Sequence, residues 1–259
     1  MAGIGPALES ALHDHGVGFM NQGQGGETSH HTCARIGSIP LRVTAEGGRL
    51  PAAGTIRLSP SPLDMVPGFL KTFAGTVSGM SGTVHGEEVG LWFTRRSPGA
   101  PLEVDGEPFI PLTGTALRRN DALLWIGKND LNRGSAASAV VERTRRTVAW
   151  LSEAGARVAV IGHFTNNHDE PEVSRRVLAV NGELADILGA RFIDVQDFLT
   201  GDGIWDAAGM SPTSIDRADL AAGCKPSSMS TDHGHLNQVG HHAVADHVVG
   251  NLERMGWFE

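Results

Sequence analysis

Several features that assign a protein to a common class are scarce or missing in these 259 residues. The sequence has no tyrosine and only two cysteines, Cys33 and Cys224. Neither cysteine belongs to a Cys-x-x-Cys pair, which excludes a disulfide framework and a cysteine-based zinc site. A single bridge between them stays open, but two unbridged thiols are the favoured interpretation.

Long apolar runs are missing as well. No stretch approaches the roughly 18 residues that a membrane-spanning helix requires, so we expect no membrane span. The first ten residues lack the basic segment and apolar stretch of a signal peptide. The default expectation is therefore a cytoplasmic protein, while a leader upstream of Met1 stays open.

Positive charge is the scarcer of the two signs. Lysine and arginine number 21 against 29 aspartates and glutamates, which gives a formal net charge of −8. This balance excludes bulk electrostatic attraction to nucleic acid or to an anionic membrane as a main mode of binding. We therefore expect neither as a partner, although a local basic patch remains compatible with the composition.

Apolar residues make up 40% of the chain, which is enough for a sizeable core, and the length favours one large domain or one domain with a small insert. Helical periodicity predicts helices that begin near Pro6 and Ser29, and further helices over 139–154, 173–188 and 238–255. Continuous apolar runs at 122–126, 157–161 and 191–195 predict strands buried on both faces. This alternation favours a parallel sheet with helices on both faces.

Residues 41–112 have a different sequence pattern, in which short, partly alternating runs are separated by Gly, Pro and Ser. We interpret this segment as a β-rich insert, which leaves 1–40 and 113–259 as the α/β domain. The α/β alternation opens with a helix at Pro6, so the first strand of such a sheet has no counterpart in the sequence. An extended run at 17–20 follows that helix.

Ligands of parallel sheets bind beyond the carboxyl ends of the strands. This rule singles out the loops after residues 20, 126, 161 and 195, and the loop before the closing helix. The first of these, 21–29, is rich in glycine, including Gly26. Glycines let backbone amides face an anion or a developing oxyanion, although an ordinary flexible loop has the same composition.

Two further loops carry candidate catalytic side chains. Asn129, directly after a buried strand, offers a neutral donor that suits an oxyanion, although Gly, Asn and Asp are also common in plain turns. Asp232 and His235 are three residues apart in the loop before the closing helix, so one tight turn can join a carboxylate to an imidazole. Such a pair serves as a general base with its orienting acid, or is simply part of a solvated loop.

A metal site is the competing interpretation of the histidine-rich region 232–247, which holds five histidines: His233, His235, His241, His242 and His247. The spacing matches no His-Glu-x-x-His pattern and no cysteine assists, so a metal is disfavoured. We expect neither a metal nor an organic cofactor.

Together the three loops resemble those of the SGNH hydrolases, also called the GDSL esterase and lipase superfamily. Residues 21–29 resemble the second sequence block of that family, residues 127–130 its Gly-x-Asn-Asp block, and residues 232–235 its Asp-x-x-His block. The resemblance implies that Gly26 and Asn129 form the oxyanion hole, that His235 is the base and that Asp232 orients it. It also implies a three-layer α/β/α fold with a flavodoxin-like parallel sheet.

The first block of the family, Gly-Asp-Ser, is absent, and it carries the nucleophile at the end of the first strand. Residues 1–6 resemble the continuation of that block, with Met1 just after the serine position. We therefore expect the nucleophile immediately upstream of Met1. We also expect this chain alone to be poorly soluble or unstable, because a missing central strand leaves two strand edges unpaired.

The resulting expectation is a serine ester hydrolase that acts on a small acyl ester, including an acylated carbohydrate. The alternative is a catalytically inactive protein of the same fold that binds a ligand or partner through the β-rich insert. One simple observation distinguishes the two hypotheses, since an in-frame Gly-Asp-Ser upstream of Met1 would support the hydrolase.

Overall fold

The computed structural model describes residues 3–61, 69–87, 90–167 and 169–259. Its helices are α1 (Gly5–His13), α2 (Ser29–Ile36), α3 (Leu112–Leu117), α4 (Lys128–Asn132), α5 (Ala137–Ser152), α6 (Pro171–Leu188), α7 (Val195–Thr200), α8 (Gly203–Ala208), α9 (Ser214–Ala221) and α10 (Gln238–Arg254). Its strands are β1 (Leu41–Ala45), β2 (Arg49–Leu50), β3 (Thr55–Ser61), β4 (Phe73–Val77), β5 (Met80–Glu87), β6 (Gly90–Arg95), β7 (Leu102–Glu103), β8 (Glu107–Pro111), β9 (Ala122–Leu124), β10 (Val158–Ile161) and β11 (Phe192–Ile193).

The chain divides into two compact units. The first, which we call the α/β unit, comprises Met1–Gly23, Leu123–Val141 and Val158–Glu259. The second, the barrel unit, comprises Gln24–Ala122 and Glu142–Arg157. Each has its own apolar cluster of buried side chains.

Six antiparallel strands of the barrel unit close on themselves in the order β1-β3-β6-β5-β4-β8. Successive residues of these strands alternate between the interior and the surface, as the buried, exposed, buried pattern of β1 illustrates. Phe73, Phe93 and Phe109 fill the interior, where the rings of Phe73 and Phe93 each meet the Phe109 ring edge to face. Gly82 lies where an added Cβ would overlap the Phe93 ring, so the absence of a side chain there makes room for the aromatic core.

The α/β unit contains the strands β10 and β11, which pair in parallel within the three-stranded sheet β11-β10-β9. All four residues of β10 are buried, as expected for a strand that is covered on both faces. The helices α1 and α10 contribute Leu8, Leu12 and Val248 to the apolar cluster of this unit. Its buried polar side chains include His163, Thr165 and Asn166, which lie in the loop that follows β10.

The predicted flavodoxin-like three-layer fold is wrong. The largest sheet is the closed antiparallel barrel, and the parallel sheet is small, with three short strands. Residues 17–20, expected to be extended, form no strand of a sheet. The alternation of strands and helices correctly located β9, β10 and β11, but such a pattern does not determine how many strands a sheet contains.

Most predicted helices are confirmed, with shifts of a few residues at their ends. The predicted helices over 139–154, 173–188 and 238–255 correspond to α5, α6 and α10. The domain boundaries and the position of Met1 relative to a nucleophile stay predictions; Met1 itself lies outside the described residues.

Candidate functional site

The loop before α10 is a short hairpin that presents residues 232–235 at its tip. Ser230 and Leu236 form an isolated antiparallel bridge. The Thr231 backbone N–H donates to the His235 carbonyl at 3.1 Å. Asn237 caps α10 as predicted, since its side-chain oxygen accepts from the Gly240 N–H at 3.0 Å.

Asp232 and His235 are in direct contact. Oδ1 of Asp232 lies 2.8 Å from Nδ1 of His235, and Oδ2 lies 3.1 Å from the same nitrogen. The backbone N–H groups of Gly234 and His235 also donate to Oδ1, at 2.9 and 3.0 Å. These bonds, of which the one to the His235 side chain matters most, hold the pKa of Asp232 below its ordinary value.

This geometry determines which ring nitrogen of His235 can accept a proton. An ionised carboxylate only accepts hydrogen bonds, so Nδ1 of a neutral His235 is the donor and Nε2 keeps its lone pair. The His235 side chain is 62% exposed, so the ring borders solvent. The pair therefore has the orientation of a general base and the acid that holds it.

Asn129, the predicted oxyanion donor, lies on α4 in the same unit as this pair. Gly127, the residue before α4, has φ +112°, and an added Cβ would overlap Val140. Glycine is therefore required there on both counts. It turns the chain sharply from the end of β9 into the helix that carries Asn129.

Buried His163, which sequence reasoning missed, supports this turn. Its Nε2 lies 3.1 Å from the Ile126 carbonyl, the residue just before Gly127. Burial and the nearby charge of Lys128 lower the pKa of His163 to about 4, so the ring is neutral near pH 7 and Nε2 donates to that carbonyl. Asn181 of α6 fixes the His163 backbone, accepting from its N–H and donating to its carbonyl.

Asp169 was also missed, although the loop after β10 was singled out. Its carboxylate accepts from the Asn166 backbone and side chain, from Lys128 Nζ at 3.4 Å, and lies 3.3 Å from His233 Nε2. Burial raises its pKa, but the Asn166 hydrogen bonds and the Lys128 charge outweigh that effect, and the pKa is lowered. One carboxylate thus links the loops after β9 and β10 to the loop of His235.

Lys128, next to Asn129, is held from two sides. Its Nζ donates to the Phe164 carbonyl at 2.9 Å as well as to Asp169. Burial lowers its pKa, and the charge of Asp169 opposes that shift. The residue before the predicted oxyanion donor is therefore fixed in place by the loop that follows β10.

Gly26, the other predicted oxyanion donor, belongs to the barrel unit. Its φ of +80° favours glycine, and an added Cβ would overlap the Phe69 ring. The next residue, Glu27, is buried and accepts from Arg35 Nε at 2.8 Å and from the Lys71 backbone N–H at 2.9 Å. This buried ion pair fixes the chain beside Gly26.

The sequence also raised a metal site, a disulfide and a membrane span as questions. Among the described residues, no group of three or more His, Cys, Asp or Glu side chains is arranged to hold a metal ion. Cys33 and Cys224 are not bridged to each other. Within the same residues, no helix combines the length and the apolar character needed to cross a membrane.

Comparison with known proteins adds no relative. No family model matches the chain, and no curated protein matches it.

Proposed function

We propose that this chain carries the acid–base machinery of a serine ester hydrolase with the chemistry of the SGNH hydrolases. The observation that carries the proposal is the 2.8 Å contact between Asp232 Oδ1 and His235 Nδ1, which leaves Nε2 of an exposed side chain as the base. The resemblance of the three loops to that family supports the choice of ester hydrolysis over other base-catalysed reactions.

In this reaction His235 Nε2 takes the proton from a serine hydroxyl while the serine oxygen forms a bond to the ester carbonyl carbon. The carbonyl oxygen becomes an oxyanion, for which Asn129 is the proposed side-chain donor. The imidazolium then gives its proton to the departing alcohol as the tetrahedral intermediate collapses to an acyl-serine. Water repeats the sequence and releases the acid.

The nucleophile is not assigned to any of these 259 residues, because Gly-Asp-Ser occurs nowhere in the sequence. We propose that it lies in a segment upstream of Met1, as the resemblance of residues 1–6 to the end of the first block favours. The role of Gly26 as a second oxyanion donor stays a prediction from the sequence.

The substrate class is a small acyl ester, such as an acetylated carbohydrate. The openness of His235 to solvent supports a compact acyl group that reaches the base without an enclosing apolar channel. The proposed step needs no metal or organic cofactor, because the base, the acid and the oxyanion donor are all side chains.

The test is hydrolysis of p-nitrophenyl acetate by two purified proteins, this chain and a version extended upstream through a strand that ends in Gly-Asp-Ser. We expect activity in the extended protein alone, and its loss in that protein on His235→Ala. His13→Ala, an exposed histidine at the end of α1, is the matched control and should leave the activity unchanged.

Inactivity of both proteins would contradict the proposal and favour the alternative, a binding protein that retains the Asp232–His235 contact without using it. Equal loss of activity in His235→Ala and His13→Ala would also contradict it, because it would show that hydrolysis comes from exposed imidazoles in general.

A further inference from the structure

Lys225 lies between α9 and the hairpin of Asp232 and is only 1% exposed. Burying an ammonium is costly unless acceptors replace the water it loses. Its Nζ donates to the Ser230 hydroxyl at 2.6 Å and to the main-chain carbonyl of Asp232 at 3.1 Å. Both acceptors belong to the hairpin that carries the Asp232–His235 pair, and both are uncharged.

The other end of Lys225 is anchored to the loop after β10. Its backbone N–H donates to the Thr165 carbonyl at 3.2 Å. Buried Thr165 is itself fixed, because its N–H donates to Gln196 Oε1 at 2.8 Å and its hydroxyl donates to the Gly223 carbonyl. Lys225 therefore spans from a fixed point at the carboxyl end of β10 to the main chain of Asp232.

Ser230 completes the link. Its hydroxyl accepts from Lys225 and donates to the Pro226 carbonyl at 2.8 Å. Burial lowers the pKa of Lys225, while the charges of Asp232, Asp219 and Asp169 oppose that shift. Burial is the larger effect, so the pKa of Lys225 is lowered overall, and the nearby carboxylates limit that shift.

We propose that Lys225 is a positioning residue for the Asp232–His235 pair: its ammonium fixes the main chain of Asp232 and thereby aims the carboxylate at Nδ1 of His235. The catalytic meaning of this role rests on the proposed function, whereas the positioning itself does not. Removing the ammonium frees the Asp232 carbonyl and lets the hairpin tip vary, so His235 loses its preferred tautomer.

The test is ¹⁵N NMR of the histidine side chains at a pH where imidazole is neutral, because the nitrogen shifts distinguish the Nδ1–H from the Nε2–H tautomer. In the unaltered protein we expect His235 as the Nδ1–H form. Lys225→Met should move it toward the Nε2–H form and speed amide exchange of Gly234 and His235 roughly fivefold to tenfold.

Two further variants sharpen the result. Ser230→Ala keeps the ammonium charge but removes one acceptor, so a smaller change in the same direction indicates positioning and not charge alone. It also carries the test if Lys225→Met does not fold. Lys71→Met, at a lysine of the barrel unit whose backbone N–H donates to Glu27, is the control and should leave the His235 signals unchanged.

A folded Lys225→Met protein with the original tautomer and exchange rates would overturn the proposal. So would a Ser230→Ala protein with an unchanged tautomer. Failure of the proposed function gives a different pattern, in which the tautomer depends on Lys225 but the extended protein hydrolyses no ester.

Discussion

The interior of the six-stranded barrel and the loops at the strand ends of the α/β unit bury different kinds of side chain. The barrel interior is filled by aromatic and aliphatic groups around Phe93 and Phe109. The loops after β10 and before α10 instead bury polar side chains, among them His163, Thr165 and Lys225. The difference teaches what holds each region in place, because a closed barrel satisfies its backbone internally whereas the loops at strand ends are held by side chains.

The largest expected effect concerns the polar loops. Asp232→Asn should lower the rate of ester hydrolysis by the extended protein about 10³- to 10⁴-fold, because an amide in place of the carboxylate no longer favours the Nδ1–H form of His235. Steady-state kinetics measure the loss. Asp246→Asn, an exposed aspartate on α10, is the matched control, and an equal loss there would contradict the assignment.

Substitutions in the apolar barrel interior should lower the free energy of unfolding. Phe93→Ala removes a fully buried ring that meets Phe109 edge to face, and we expect a loss of about 3–5 kcal/mol in the free energy of unfolding. Denaturant titration followed by circular dichroism measures it. Ile110→Ala, on a side chain that is 48% exposed, should cost much less, and equal losses would show that the barrel interior is not the source of its stability.

A third effect separates backbone strain from crowding within the barrel unit. Gly26→Ala should lower the free energy of unfolding by about 2 kcal/mol, since its φ is positive and the methyl group overlaps Phe69. Gly47→Ala shares the positive φ but meets no neighbouring atom within 4 Å, so about 1 kcal/mol is expected there. If the two losses are the same in thermal unfolding, Phe69 does not crowd Gly26.

The smallest effect is the acid sensitivity of the linked loops. The folded-state pKa of Asp169 is lowered, so its contribution to stability is present above the ordinary value of 3.8 and is lost as the pH falls through the lowered pKa. Asp169→Asn should therefore cost about 1 kcal/mol near neutral pH, with the difference shrinking in acid. Unfolding curves between pH 7 and 2 measure it, and a pH-independent difference would contradict this role.

The sequence predicted local structure better than it predicted how distant segments come together. Apolar runs located β9, β10 and β11, helical periodicity located α5, α6 and α10, and Asn237 was correctly expected to cap α10. The three-residue spacing of Asp232 and His235 predicted a contact that one turn can make, and the structure contains it. These successes share a cause, since each depends on neighbours within a few residues.

The missed residues depend on distant partners. Asp169 meets Lys128 and His233, which are 41 and 64 positions away in the sequence, and no local pattern marks such a carboxylate. Lys225 follows Cys224 in a segment with no periodicity, and a lysine in a loop is ordinarily exposed. Only the folded chain identifies it as buried.

The sequence by itself determined the helices α1, α2, α5, α6 and α10, the strands β9, β10 and β11, and the tight turn that joins Asp232 to His235, because hydrophobic period and short-range hydrogen bonds act along the chain. The tertiary structure alone decided that six strands close into a barrel and that Lys225 and Asp169 brace the loops at the strand ends. Barrel closure and the burial of charged groups depend on which distant segments meet. The interactions that stabilise them form only when those segments pack together and exclude water.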